Sequence, residues 1–110
     1  MRVNSNQMGT YNILRTKLEC PRCKQIAEQE IDLHFGYTNE MLEFNLGDKY
    51  VWFFGKEFQN GGRPENGNID GEGYVVCELC RRDFFVKVAV RNDLIGNIEF
   101  DSTKKPFLKD

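Results

Sequence analysis

Two pairs of cysteines, each pair separated by two residues, constrain this chain of 110 residues more than any other feature. Cys20-Pro-Arg-Cys23 and Cys77-Glu-Leu-Cys80 each follow an apolar segment typical of a β-strand, and each precedes a basic residue. A tight turn of this length directs both sulfurs towards one point, so two such turns can complete a tetrahedral site of four thiolates. The spacing therefore predicts Cys20, Cys23, Cys77 and Cys80 as the ligands of one structural Zn²⁺.

Other roles for the four cysteines stay open at the level of sequence. Iron or another metal also accepts four thiolates. Two disulfides would need an oxidising compartment, and a dithiol redox site normally places one CxxC motif at the start of a helix. Zinc is the favoured ion. Four protein ligands leave no coordination position for water, so the metal is expected to be architectural.

These motifs resemble those of the zinc-ribbon family, in which two CxxC knuckles on β-hairpins hold one zinc beside a small antiparallel sheet. The resemblance covers roughly residues 11–35 and 74–100, and it implies the four cysteines as ligands. The chain departs from the family in the 53 residues between the pairs, where compact ribbons have about 15–20. An inserted β segment is therefore expected. Through Leu46-Gly47-Asp48 and Trp52 the chain also looks like small uncharacterised bacterial zinc-ribbon proteins, some of them neighbours of toxin genes.

Apolar and polar residues alternate with a period of two over much of the chain, which is typical of β-strands. The alternation predicts strands over residues 11–18, 27–35, 42–46, 74–76, 84–91 and 95–100. The glycine-rich stretch 59–73 predicts a long loop. The predicted fold class is all-β and mainly antiparallel: a zinc ribbon with an inserted β segment and a long glycine-rich loop.

The aromatic run at residues 50–54 suits a further strand that is buried on both faces. Core packing is the favoured role for these rings, because a small domain must place its large aromatic side chains away from water. Exposed rings can also stack unpaired bases or anchor a protein interface. The ring that stays exposed, Trp52 or Tyr50, is then the interface candidate.

Length and composition indicate one soluble globular domain, with 29% charged residues and a formal net charge of -2. We expect a disordered segment at 1–10, a single domain at 11–101 with an acidic insertion at about 36–73, and a charged tail at 102–110. Residues 1–10 lack the apolar run of a secretory signal, and no segment approaches the ~18 apolar residues of a membrane span. The expected location is the cytoplasm, with no membrane partner.

Charge is unevenly distributed along the chain. Residues 1–27 carry five basic and one acidic residue, residues 28–80 carry three and eleven, and residues 81–110 carry seven and five. An acidic insertion can steer a basic partner, although surface charge also serves solubility alone. The predicted partner-binding residues are six carboxylates and one aromatic side chain: Glu40, Glu43, Trp52, Glu57, Glu65, Asp70 and Glu72.

The favoured function is a non-enzymatic, zinc-stabilised protein-interaction module, of the kind of a small inhibitor or immunity protein that binds a basic partner through an acidic surface. The alternative is a zinc ribbon that binds nucleic acid through its basic knuckles. Those basic residues also have a simpler role, because they offset the formal -2 charge of a site with four thiolates. The residues concerned are Arg22, Lys24, Arg81 and Arg82.

No catalytic constellation is found in the sequence. His34 is the chain's only histidine and is expected on the solvent side of a strand. Residues 66–71 imitate the opening of a calcium-binding loop, but Cys77 stands where the bidentate glutamate is needed. The sequence therefore predicts no catalytic residues and no enzyme.

Overall fold

The computed structural model describes residues 10–106, and its regular secondary structure is almost entirely β-strand. The strands are β1 (Asn12–Glu19), β2 (Ile26–Leu33), β3 (Glu43–Phe44), β4 (Ile69–Val76), β5 (Asp83–Arg91) and β6 (Leu94–Phe100). They form one sheet in the order β3-β1-β2-β4-β5-β6. Neighbouring strands are antiparallel except β1 and β3, which run parallel. The predicted all-β, mainly antiparallel fold is confirmed.

Two hairpins of the sheet follow the same plan. β1 and β2 pair across residues 12–33, and β4 and β5 pair across residues 69–90 with the same register. Each position of the first hairpin corresponds to the position 57 residues later in the second, just as Cys77 follows Cys20 by 57 residues. The two cysteine pairs therefore occupy equivalent turns of two equivalent hairpins, which lie side by side because β2 also pairs with β4.

The apolar face of these strands forms the core. The alternation predicted from sequence is observed, since alternate side chains of the strands have almost no exposed surface. Fully buried members are Leu14, Ile31, Leu33, Val75, Phe84, Val86, Val88 and Val90. Burial of one such side chain stabilises the fold by about 1.5–3 kcal/mol. Packing of these side chains therefore contributes to holding the two hairpins together, in addition to the cysteine turns.

Part of the glycine-rich segment lies in the sheet. β4 begins at Ile69, several residues earlier than expected, so Gly71 and Gly73 are strand residues. A Cβ atom at Gly73 would lie 2.6 Å from a methyl carbon of Ile31, and one at Gly71 would lie 2.2 Å from the ring of Phe35. Glycine at these positions lets neighbouring side chains pack directly over β4. The irregular connection ends at Asn68 and contains two 3-10 turns, Phe58–Asn60 and Glu65–Gly67.

The aromatic run at residues 50–54 does not form the predicted strand. Backbone hydrogen bonds hold Gly47 and Tyr50 against the β6 side of the sheet, and beyond them Phe53 makes only an isolated bridge. Tyr50 is 2% exposed, whereas Phe54 is fully exposed. The prediction failed because the run crosses the core and then leaves it, so its rings meet different environments within five residues.

Tyr50 fastens this connection over the core. Its hydroxyl donates to the Phe35 carbonyl at 2.5 Å and accepts from the Asn12 side-chain amide at 2.9 Å. Asn12 is fully buried, donates to the Tyr37 carbonyl at 2.8 Å and accepts from the Leu42 N–H at 2.8 Å. Burial raises the pKa of Tyr50 to about 12. The hydroxyl therefore stays protonated and can donate at any ordinary pH.

Some of the domain boundaries predicted from sequence fall outside the described residues. These are the segment 1–10, apart from Thr10, and residues 107–110 of the charged tail. The residue just before the tail is bound to the sheet, because the Asp101 N–H donates to the Phe85 carbonyl at 2.9 Å. Within residues 10–106, the structure contains no helix long and apolar enough to cross a membrane.

The buried hydroxyl of Tyr50 makes a testable contribution to stability. We expect Tyr50→Phe to lower the free energy of unfolding by about 1–2 kcal/mol, because a buried carbonyl and amide lose their partner. The matched control is Tyr37→Phe, whose hydroxyl donates to Glu40 at the surface, and which should change stability by less than about 0.5 kcal/mol. Urea unfolding with zinc in excess measures both. Equal effects of the two substitutions would contradict this account.

Candidate metal centre

The two cysteine-bearing turns share one backbone geometry. In each turn the N–H of the first cysteine donates to the carbonyl five residues later, and the N–H four residues later donates back to that cysteine's carbonyl, at 2.8–3.0 Å. Lys24 and Arg81 hold equivalent positions with φ of 65° and 63°. This left-handed conformation reverses the chain within a few residues. Each turn thus returns directly into the next strand of its hairpin.

The two turns bring the four sulfurs together. All four Sγ atoms lie within 4.8 Å of one another, with 3.8 Å between Cys20 and Cys80 and 3.9 Å between Cys23 and Cys77. Four sulfurs at about 2.3 Å from a tetrahedral zinc ion are separated by about 3.8 Å. A disulfide needs only about 2.05 Å. The cluster therefore has the dimensions of a metal site, and no disulfide joins the four cysteines.

Backbone N–H groups face the sulfurs in both turns. The N–H groups of Arg22 and Cys23 lie 3.3 and 3.4 Å from the sulfur of Cys20, and the N–H of Leu79 lies 3.4 Å from that of Cys77. Burial raises the pKa of Cys20 to about 11. N–H donors oppose that effect by stabilising the thiolate, which is the form that binds a metal.

Gln29 of β2 supports the second turn, and sequence analysis did not assign it to the site. Its side chain is fully buried, with Nε2 3.5 Å from the sulfur of Cys77 and Oε1 accepting from the Glu78 N–H at 3.0 Å. Burial alone would raise the pKa of Cys77, but this amide and the backbone N–H groups lower it to about 6. The available signal was an amide within the apolar series of β2, between Ala27 and Ile31.

Arg22 joins the first turn to the second hairpin. Its guanidinium donates to the Asp83 carbonyl at 2.6 Å and lies 3.6 Å from the carboxylate of the same residue. The Arg22 side chain is only 13% exposed and Asp83 is fully buried. The hydroxyl of Tyr74 also donates to that carboxylate, at 2.7 Å. Arg22 therefore closes the metal end of the sheet instead of presenting its charge to solvent.

The other basic residues of the nucleic-acid alternative differ from one another. Lys24 and Arg81 are exposed, and Arg82 is partly buried. The Arg81 guanidinium lies 3.6 Å from the carboxylate of Glu78. Of the four basic residues predicted for the nucleic-acid alternative, two are therefore exposed at the metal end of the sheet.

The predicted partner-binding residues differ in their burial and in their partners. Three of them have a cationic neighbour within 3.2 Å, as in the pairs Glu43–Arg15, Asp70–Arg91 and Glu72–Lys104. Trp52 is partly buried and its indole N–H donates to Asp93 at 2.9 Å. Glu40, Glu57 and Glu65 are exposed in the connection between β2 and β4.

His34 lies on the solvent side of the sheet, as predicted, at the residue after β2. Its ring is 5.4 Å from that of Tyr11. Partial loss of solvent around the ring lowers the pKa of His34. The metal cluster found among the described residues consists of the four cysteines and does not include His34.

No protein-family model, curated protein or solved structure matches this chain. Two equivalent turns present four thiols at the separations that a tetrahedral metal ion requires, among N–H donors and beside a buried amide. The chain is a β protein with a four-cysteine cluster that can hold a metal ion.

The role of Gln29 can be measured through metal affinity. We expect Gln29→Leu, which keeps the volume but removes both hydrogen bonds, to weaken zinc binding about ten- to a hundredfold. The control is Gln25→Leu, the same replacement at an exposed position of the first turn, which should leave affinity unchanged. Competition with a chromogenic chelator measures the zinc dissociation constants of both variants. Wild-type affinity in Gln29→Leu would show that the amide does not support the site.

Proposed function

We propose that the four cysteines hold one structural Zn²⁺ and that the chain is a zinc ribbon with an extended insertion. The separation of the sulfurs carries this proposal, because thiolate ligands in a tetrahedron favour zinc or iron. The protein itself would fill all four coordination positions. The ion would then join the two hairpins and activate no water, which supports an architectural and non-enzymatic role.

We also propose that the folded chain is a protein-interaction module that binds a partner with a basic surface. The carrying observation is the position of Glu40, Glu57 and Glu65, which project into solvent from the connection between β2 and β4. Complementary charge speeds the encounter of two proteins and selects among partners. A small inhibitor or immunity-type protein acts by this kind of binding, and that role stays a prediction for this chain.

Nucleic-acid binding is the second candidate, supported by exposed Lys24 and Arg81 at the metal end. Phosphate affinity grows with the number of cations that reach the backbone. Arg22 is bound to buried Asp83, so its charge stabilises the contact between the first turn and the second hairpin. Charge compensation for the thiolates accounts for the remaining cations more simply, and the protein-interaction function is therefore preferred.

Charge reversal separates the two candidates. We expect Glu57→Lys/Glu65→Lys to lose the proteins that the wild type captures from a cell extract, and the control Glu28→Lys/Glu99→Lys, at exposed sites on the sheet, to retain them. Quantitative mass spectrometry of the captured proteins measures this. If both double variants capture the same proteins as the wild type, the acidic recognition surface is contradicted. Salt-sensitive oligonucleotide binding that Lys24→Glu/Arg81→Glu abolishes would favour the second candidate.

A further inference from the structure

Two phenylalanine rings of the insertion stand in solvent close to each other in sequence. Phe54 is fully exposed, and Phe58 is 55% exposed at the start of a 3-10 turn. Single exposed apolar residues are common on protein surfaces. Phe54, however, borders a concavity of about 320 Å³ and Phe58 borders another of about 350 Å³, and Phe53 lines both of them. The rings therefore belong to one aromatic, uneven surface, here called the aromatic ridge (residues 53–58).

The backbone of the aromatic ridge is held in one shape. The Phe53 N–H donates to the Gly61 carbonyl at 2.8 Å, and the Gly62 N–H donates to the Glu57 carbonyl at 2.9 Å. A Cβ atom at Gly62 would lie only 1.7 Å from the Lys56 carbonyl oxygen, so the two sides of the loop touch where only glycine fits. A loop closed in this way presents its side chains without a large entropic cost on binding.

The ridge is also fastened to the sheet from below. Arg63 makes two hydrogen bonds to the carboxylate of Asp93, at 2.8 and 3.0 Å, and the indole of Trp52 donates to the same group. Asp93 lies in the turn between β5 and β6. The ring of Tyr37 packs edge-on against Phe53, with 4.8 Å between centroids. The exposed rings thus project from a supported base.

We propose that Phe54 and Phe58 are the anchors through which this chain binds a partner protein whose apolar pocket is bordered by lysine or arginine. This inference rests on the proposed protein-interaction function and adds the position of the interface. Buried aromatic anchors supply most of the binding energy at many interfaces. Phe54 replaces the two rings that the sequence offered as interface candidates, Trp52 and Tyr50, because the structure buries both of these at least in part.

The surrounding charges select the class of partner. Glu57 lies between the two rings in sequence, and Glu65 is exposed on the next turn. Of the nearby cations, Arg63 is paired with Asp93, and the Lys56 ammonium lies 5.8 Å from the centre of the Phe53 ring. A platform for unpaired bases needs cations that follow the phosphates. Carboxylates beside the rings instead suit a basic protein surface.

Selection from a random displayed-peptide library tests the proposal on the full zinc-loaded chain. We expect the enriched peptides to combine apolar residues with lysine or arginine. Phe54→Ala and Phe58→Ala should each weaken the binding of synthesised winners at least about tenfold, a loss typical of anchor residues. The controls are Leu46→Ala and Leu94→Ala, exposed apolar residues elsewhere, which should change affinity less than about twofold. Because Phe54 is fully exposed, zinc content and near-UV circular dichroism should stay unchanged in Phe54→Ala.

The contrary outcomes are distinct. Peptides that ignore the phenylalanine substitutions but are lost with Glu57→Lys/Glu65→Lys would overturn the aromatic anchors and leave the proposed function standing. Failure to enrich any peptide would count against both the aromatic anchors and the proposed protein-interaction function. Enrichment of acidic peptides would overturn the class of partner. Binding of single-stranded oligothymidine that Phe54→Ala abolishes would replace the protein partner with a nucleic acid.

Discussion

The convergence of four cysteine sulfurs from two hairpins is the constraint on which the rest of the structure depends. Each CxxC turn fixes the register of its own hairpin, since the strands on both sides continue directly from the turn. Bringing the turns together places β2 beside β4 and so joins the two hairpins into one sheet. The residues between these strands must then form a connection that crosses the apolar face. This connection buries Tyr50 and carries Phe54 into solvent.

The hairpins have equivalent backbones but different side chains. Gln29 of the first hairpin supports the sulfur of Cys77, whereas the equivalent position of the second hairpin is Val86. Arg22 of the first turn binds the start of β5, and its equivalent, Leu79, is exposed. Both polar supports therefore run from the first hairpin to the second hairpin. A metal ion would act at the centre of this arrangement, with the side chains fixing how the hairpins meet around it.

Much of the fold followed from local patterns in the sequence. The strands around the cysteines have regular alternation, and the CxxC spacing determines where two sulfurs point, so both the fold class and the cysteine cluster were predicted. The errors arose where distant residues decide the outcome. Residues 50–54 have the composition of a strand but make only isolated backbone contacts instead of a continuous ladder, and Gly71 and Gly73 are strand residues over which Phe35 and Ile31 pack. The support from Gln29 depends on a turn 48 residues away.

X-ray absorption spectroscopy of the purified protein at the zinc edge tests the central claim most directly. The account predicts one zinc ion per chain with a first shell of four sulfur atoms at about 2.3 Å. A shell that contains nitrogen or oxygen ligands, or fewer than four sulfurs, would contradict the convergence of the two turns on one ion. Purified protein that carries no metal and whose cysteines form disulfides would also contradict it.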